Sequence, residues 1–473
     1  MISFDSLTLK KWVEDNKDFL TGAKIRKIQQ PTRRELIFTV RNKGINKKLY
    51  ININPTFHHI CFMDKENEEK RLIEIPQKPP MFCMLLRKYL ENSQIAKVNQ
   101  PEFERILEFY IETYNEFSEK IYLCLAIEFM GKHSNIILYN YDTNIILGCA
   151  HNVGAEKSKE RELAGSLPYV YPKRKVAQWY AVENSISSEA GDINHNIDNY
   201  YSECIFNDKI KKLKDNYKQI VTKKLKKDET TLKKMEYQIS KENDSDRYRL
   251  YGNLIMANLY NNKDYISSIN VFNYENNENI TIKLDETLTL KENANKFFKL
   301  YNKGKTTVSK LSELSESLRW QIDYYNQVLF SIDIARNIDD LYSIIAELEP
   351  EKHSNIKKSS TEPQLMEIEG CKVFVGKNNK QNDMIVSKLS KDEDYWFHVK
   401  DCAGSHVLLK CNNPSDELIY ECAKLAKEYS KAKLSSKASV IYTQRKFIKK
   451  PPKANLGYVI YKNEKEIVVK SLC

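Results

Sequence analysis

IKKLKDNYKQIVTKKLKKDETTLKKMEYQI, residues 210–239, decides the architecture. Ile210, Leu213, Tyr217 and Ile220 step by three and four, and the stripe resumes at Leu225, Leu232, Met235 and Ile239. This is the period of one helix face turned toward a partner, with no proline to interrupt it. A second stripe runs through Leu311, Leu314, Leu318, Ile322, Tyr325, Leu329 and Ile332, then Leu341, Ile345 and Leu348. Helices of such length are typical of coiled coils. Two of them in one chain predict an antiparallel arm over 205–349, extending roughly 50–65 Å at about 1.5 Å per residue. Between them, the alternation in Ser267–Tyr274 and Asn279–Leu284 predicts a small β element at the tip, within about 250–300.

Outward from the arm, residues 1–177 alternate strand patterns (Ile25–Ile28, Glu35–Val40, Lys48–Ile53, Ile106–Ile111, Ile121–Ala126, Asn135–Tyr139) with a helix at Phe82–Leu90. Residues 178–204 are polar and rich in Ser and Asn, and read as a linker; 350–364 read as a second one. Residues 365–473 return to strands, among them Cys371–Val375 and Ser439–Tyr442, with one helix near Glu417–Tyr429. The expected fold is α+β: two mixed α/β globular domains joined by a long antiparallel coiled-coil arm. That plan suits a bridging protein better than a single-pocket enzyme.

Composition narrows the function classes. The 473 residues carry 75 Lys and Arg against 64 Asp and Glu, a formal charge of +11, with 41% hydrophobic content. Mean hydropathy is −0.59, and no apolar run approaches the roughly 20 residues of a membrane span. Met1–Ser6 shows neither the basic nor the apolar region of a secretory signal. The ten cysteines are scattered without a Cys-x-x-Cys, as reduced thiols of a cytoplasmic protein are. Zinc ligation needs closely spaced Cys and His pairs, and His58-His59-Ile60-Cys61 has no second pair to complete it. No metal or other cofactor is expected.

The positive charge is concentrated. Residues 209–234 hold eleven Lys and three acids, which suits a solvated helix face and an RNA-facing one equally. Residues 424–453 hold ten Lys or Arg and one acid; Lys446, Lys449, Lys450 and Lys453 flank Phe447, Pro451 and Pro452. Cations interleaved with aromatics suit a phosphate backbone with exposed bases. The sharpest local pattern is Asp394–Val407, which contains Trp396, Phe397, His398, Lys400, Asp401, Gly404, Ser405 and His406. Two His and an Asp are the residue types of acid–base or metal chemistry. The histidines nevertheless flank a turn on separate strands with no third ligand at recognisable spacing. A binding surface or a structural hydrogen-bond network fits better. No phosphate-cradling, dinucleotide-binding or nucleophile-elbow glycine motif occurs.

The whole chain resembles the NFACT-domain family, the bacterial RqcH-type ribosome quality-control factors related to eukaryotic NEMF and often labelled fibronectin-binding proteins. The resemblance rests on Pro80–Leu90, Glu128–Asn135 and Leu167-Pro168-Tyr169; on Gly252–Tyr260, Leu284-Asp285 and Asn293–Lys303; and on Gly376–Asp383, Trp396–His406 and Lys449-Lys450-Pro451. It implies an NFACT-N domain, a coiled-coil arm and an NFACT-R domain. It further implies binding to the large ribosomal subunit obstructed by peptidyl-tRNA, through rRNA contacts, and recruitment of alanyl-tRNA for tailing of the nascent chain without mRNA. Peptidyl transfer would be the ribosome's own, so no catalytic residue is expected. The implied tRNA-handling residues are Glu104, Arg105, Glu128, Phe129, Met130 and Lys132. Those implied for RNA or ribosome binding are Trp396, His398, Lys400, Asp401, Gly404, Ser405 and His406, joined by the basic Lys446, Lys449 and Lys450.

Arg105 and Lys132 would hold phosphates, with Glu104 and Glu128 orienting them or reading a base edge. Departures accompany the match. Glu104 stands where Asp is usual, Lys132 replaces an Arg and loses its bidentate geometry, and Ala403 stands for Pro. The helix-hairpin-helix module expected after the N-terminal domain is missing or reduced to 178–204. A cell-surface adhesin that binds fibronectin is the alternative, disfavoured by the absent signal and the clustered Lys. The N-terminal domain also resembles formamidopyrimidine DNA glycosylases, but Ile2 follows Met1 where those enzymes need a Pro.

Overall fold

The computed structural model describes residues 4–101, 104–114, 118–156, 160–173, 191–243, 245–261, 264–349, 362–452 and 454–470. Much of both expected linkers, 178–190 and 350–361, lies outside the described residues, as does Lys453. The chain divides into two compact units, Met1–Lys211 and Lys212–Cys473.

In the first unit, α1 (Ser6–Leu20) starts where the Asp5 carboxylate accepts from the Thr8 N–H at 2.8 Å, and it buries Leu9, Trp12 and Leu20. Next come β1 (Lys24–Gln29), β2 (Glu35–Asn42), β3 (Ile45–Asn52), β4 (His59–Phe62), α2 (Lys65–Lys70) and α3 (Met81–Leu90). They are followed by β5 (Gln94–Asn99), β6 (Ile106–Tyr114), β7 (Lys120–Glu128), β8 (Asn135–Asn140) and β9 (Ile146–Cys149). The nine strands form one antiparallel sheet in the order β4-β3-β2-β1-β5-β6-β7-β8-β9.

This sheet is built twice. Ile25, Lys27, Gln30 and Pro31 after α1 recur as Ile95, Lys97, Gln100 and Pro101 after α3. Both copies shift register at the same place, between Ile25 and Lys27 and between Ile95 and Lys97. Lys24 pairs with Gln94, its own counterpart. Around that pair the Gly22 N–H donates to the Ile95 carbonyl at 2.8 Å while Asn92 donates to Ile25 at 2.7 Å. An approximate twofold axis therefore passes between β1 and β5.

The end of the expected first linker is helical. Residues 193–204 are the first turns of α4 (Ile193–Asn243), and Ile193, Ile197, Tyr201 and Ile205 enter the core beneath the sheet. Their fourfold spacing is masked by buried polar residues. Asn194 accepts from the Trp12 indole N–H at 3.0 Å, and Asp198 pairs with the buried Arg71 at 2.6 Å.

In the second unit, α4 is followed by α5 (Asp246–Ala257), the hairpin β10 (Ser268–Asn273) and β11 (Glu278–Lys283), then α6 (Leu290–Ile334) and α7 (Ile338–Leu348). Arg319 on α6 meets Glu236 on α4 at 2.7 Å, while Lys218 meets Asp333, so the two long helices run antiparallel. A capping box of Thr289 and Glu292 starts α6. The second apolar stripe is not one helix through Leu348: α6 stops at Ile334, and Asn337 caps α7, accepting from the Asp340 N–H at 2.7 Å.

The rest of the unit comprises β12 (Gln364–Ile368), β13 (Cys371–Val375), α8 (Asn379–Met384) with a π turn after it, β14 (Tyr395–Val399) and β15 (Val407–Lys410). Then come α9 (Asp416–Glu428), β16 (Lys437–Gln444), the short β17 (Ile448–Lys449) and β18 (Ile460–Tyr461), and β19 (Lys465–Lys470). Six of these strands form an antiparallel sheet ordered β12-β13-β15-β14-β16-β19. Its Val373, Phe397 and Leu409 face α9, while Trp396, Leu408 and Ile441 face Ile385 and Val386. Among the described residues no helix is long and apolar enough to cross a membrane.

Candidate nucleic-acid interface

The β6–β7 hairpin brings the two N-terminal motifs together. Ile106 pairs with Glu128, and the Phe129 N–H donates to the Arg105 carbonyl at 2.8 Å. Glu104-Arg105 before β6 and Phe129-Met130 after β7 are therefore neighbours at one end of the sheet. Gln100 fixes the approach, donating its amide to the carbonyls of Glu104 and Ser6, each at 2.9 Å. Arg105 is half-buried and Lys132 is exposed, on the 3₁₀ turn Gly131–His133. A shallow cleft of about 230 Å³ lies against Glu104, lined also by Pro101, Ile106, Tyr171 and Pro172.

Two of the expected residues do not face a ligand. Glu128 is 0% exposed: Arg161 grips both its oxygens, and the Tyr169 hydroxyl donates to it at 3.0 Å. It therefore orients neither Arg105 nor Lys132. Phe129, also 0% exposed, packs edge-on against Phe4 at 5.3 Å and holds the turn from below. Met130 is half-buried, with its N–H donating to the Ser134 hydroxyl at 2.8 Å. Arg161 carried no signal in the sequence, because Glu160-Arg161-Glu162 reads as an ordinary solvated charge run. His58, in the sequence only half of an incomplete metal-ligand pattern, also belongs to this region. It is buried beside Phe129, both ring nitrogens lack a hydrogen-bond partner, and burial together with the nearby Arg105 pushes its imidazole below the usual range.

In the C-terminal sheet the histidine motif is a core. Trp396, 1% exposed, lies parallel to His398 with ring centres 5.7 Å apart, and meets His406 edge-on at 5.1 Å. Desolvation pushes His398 down to about 4 and His406 well below its ordinary value, so both are neutral at physiological pH. Trp396 is no stacking platform, and Ser405 is buried too. Gly404 exchanges two hydrogen bonds with the Gln327 side chain on α6, at 2.9 and 2.8 Å, and a Cβ there would lie 2.8 Å from that of Ser430. The Gly376–Asp383 motif is equally structural. Asn382 accepts from the His406 N–H at 3.0 Å, and Asn379 donates to Glu347 on α7 at 3.0 Å.

The surface of that domain carries the charge instead. Lys400 and Asp401 are exposed, Lys400 pairing with Glu466 at 2.9 Å. Lys446 pairs with Glu393 at 3.3 Å and Lys450 with Asp383, while Lys449 is exposed with no acidic partner among the described residues. The arm is more strongly basic. Lys212, Asn216, Gln219, Lys223, Lys227, Thr230, Lys234, Tyr237 and Lys241 follow one another at three- and four-residue steps, and all are exposed. They form one face of α4, opposite buried Tyr217, Val221 and Leu225. No acid stands at any of these positions, and Tyr237 is 72% exposed.

A mixed α/β unit, a helical hairpin and a second mixed α/β region, with cationic side chains exposed on each, define a multidomain α+β protein. The chain belongs to the NFACT family: the NFACT N-terminal and middle domains match residues 5–179 and 175–364, and the NFACT protein RNA binding domain matches 362–463. It is 27% identical to the Rqc2 homolog RqcH of Bacillus subtilis over 565 aligned residues, 99% of this chain and 98% of that one. It is also 27% identical to the Rqc2 homolog RqcH of Streptococcus pneumoniae over 545 residues, with the same coverage. The solved C-terminal part of a fibronectin/fibrinogen-binding protein from Streptococcus suis is similar at 26% identity and a TM-score of 0.45, covering 56% of this chain and 96% of that one.

Proposed function

We propose that this protein is a ribosome quality-control factor. It binds the obstructed large subunit carrying peptidyl-tRNA and recruits tRNA, alanyl-tRNA on the family resemblance, to promote tailing of the stalled chain in the cytoplasm. The observation that carries the reading is the end-to-end likeness to the two RqcH relatives, across both the NFACT N-terminal region and the RNA-binding domain. The chain acts by positioning, and the ribosome performs peptidyl transfer. Arg105 and Lys132 hold tRNA phosphates, Glu104 orients Arg105 or reads a base edge, and Phe129 and the Glu128–Arg161 pair keep the turn in place beneath them. Lysines of α4 and of the C-terminal domain supply contacts to rRNA.

The 565 aligned positions exceed the 473 residues of this chain, and the two N-terminal family matches meet at 175–179. We infer that the helix-hairpin-helix module is what is missing there, and that its contacts are made elsewhere or lost.

Gradient sedimentation of native lysate, with sequencing of co-purified RNA, tests the reading. The protein should travel with large subunits and enrich tRNA; soluble fractions without tRNA would end it. Glu104→Ala with Arg105→Ala should abolish tRNA recovery and leave large-subunit association. Loss of both, with the fold intact, would contradict the division of labour.

A further inference from the structure

The internal repeat of the first unit places a second pair of residues where Glu104-Arg105 stand in the other half. Glu35 pairs with Asn52 at the end of the β2–β3 hairpin, as Ile106 pairs with Glu128 in β6–β7. The Ile53 N–H donates to the Arg34 carbonyl at 2.8 Å, the same bond at the same distance as Phe129 to Arg105. Arg34 is thus the repeat counterpart of Arg105, and Arg33 that of Glu104.

Both arginines are exposed, and neither guanidinium has a hydrogen bond or ion pair among the described residues. Where the second half alternates acid and base, the first half presents two fixed positive charges. His151 is anchored through its backbone to the side chain of Asn135, the residue paired with Glu128, at 2.8 and 3.0 Å. Burial first, then the charges of Arg34 and Arg33, push its imidazole below the ordinary value.

Two polar atoms there lack partners. His151 Nε2 is buried without a hydrogen bond, and so is Oε1 of Gln30, a residue 3% exposed in the turn leading to Arg33. Its counterpart Gln100 donates its amide nitrogen to Ser6 and Glu104, at 2.9 Å each. The two sites are also contiguous. The turn bearing Lys132 touches the turn after β3, since a Cβ on Gly131 would lie 3.7 Å from the Pro55 carbonyl.

We propose that Arg33-Arg34 is a second phosphate-binding site of the N-terminal unit, so that an RNA backbone is held at two points related by the internal twofold. Paired guanidinium groups suit phosphate because each offers a planar fork of donors that matches two of its oxygens. With no acid between them they read backbone and not bases. The site deepens the proposed function, resting on it for the choice of RNA as the polyanion.

The test uses the full-length protein with Arg33→Gln/Arg34→Gln, and with Arg33→Lys/Arg34→Lys as the charge-keeping control. Affinity for deacylated tRNA and for purified large subunits is measured between 50 and 200 mM salt, alongside Glu104→Ala/Arg105→Ala. The Gln variant should bind at least one of the two RNAs about tenfold more weakly, with a salt slope shallower by roughly one to two. The Lys variant should recover most of that loss, which separates charge from misfolding. A loss confined to tRNA, or to subunits, names the source of the phosphate and supports the site either way. Unchanged affinity and slope for both RNAs in the Gln variant, while Glu104→Ala/Arg105→Ala loses tRNA, would overturn the second site and leave the first standing. Failure of the wild type to bind either RNA would instead overturn the ribosomal reading.

Discussion

Asp198 shows how much one side chain can decide. It is fully buried, pairs with Arg71 at 2.6 Å, and accepts from the Asp64 N–H at 2.9 Å and the Asn67 amide at 2.8 Å. Through it the first turns of α4 are tied to the loop after β4. Removing one partner of a buried pair leaves the other charge unpaired, a cost of about 3–5 kcal/mol. Asp198→Ala should therefore lower stability in urea unfolding by that amount, and a loss below about 1 kcal/mol would show that the pair is dispensable. The histidines of the C-terminal sheet give a pH signature. His398 titrates near 6.5 when unfolded and is held at about 4 when folded, His406 moving the same way. As pH falls, the unfolded chain takes up protons first. The stabilisation is full above 6.5 and fades as pH drops toward 4. Tm should fall between pH 7.5 and 5, and His398→Gln/His406→Asn should flatten that fall whatever its absolute stability. An unchanged slope would place the titration elsewhere.

The elements themselves divide by how openly they write their burial. Strands buried on one or both faces, such as β2 and β7, show runs of Leu, Ile, Val and Phe, and they are legible in the sequence; so are the helix at α3 and the hairpin β10–β11. The start of α4 was not, because Asn194, Asp198 and Ser202 are buried there as hydrogen-bonding groups between Ile193, Ile197 and Tyr201. A polar residue that earns its place through a partner far along the chain looks the same as a linker residue until that partner is known. The candidate site follows the same logic. Glu104-Arg105 and Glu128–Lys132 are two separate motifs in the sequence, singled out by the family resemblance, and the β6–β7 hairpin brings Arg105 beside Phe129. Glu128 is expected as a contact residue from the family resemblance, and Trp396 from that resemblance and from the aromatic pattern around it. Their partners, Arg161 in one case and the two histidines in the other, turn them into supports. The twofold repeat of the first unit is hard to read in the sequence because only a few residues recur by identity, while the register shift and the strand pairing around it recur in the structure.

For the whole molecule, the net charge of +11 says less than its placement. Many basic side chains are neutralised locally: Lys400 by Glu466, Lys446 by Glu393 and Lys450 by Asp383. The face of α4 is different, since Lys223, Lys227 and Lys234, flanked by Lys226, have no acidic partner among the described residues. A straight row of exposed cations on a stiff helix, with a single exposed aromatic, suits the regular phosphates of an RNA duplex better than splayed single-stranded bases, which call for more stacking surfaces. Each phosphate neutralised releases counterions, so each contributes close to one unit of salt slope on a duplex. Replacing Lys223, Lys226, Lys227 and Lys234 by Gln keeps helix-forming residues at solvated positions, and Tm should not change. Affinity for large subunits should drop and its salt slope should become shallower by about three to four. Because these lysines and Glu104-Arg105 belong to different units of the chain, their effects should add on a logarithmic scale. Combining the lysine changes with Glu104→Ala/Arg105→Ala should then lower subunit affinity no further than the lysine changes alone, while removing tRNA recovery altogether. Strong coupling between the two sets would mean that arm and N-terminal unit read the same stretch of RNA, and separate gripping surfaces would have to be abandoned.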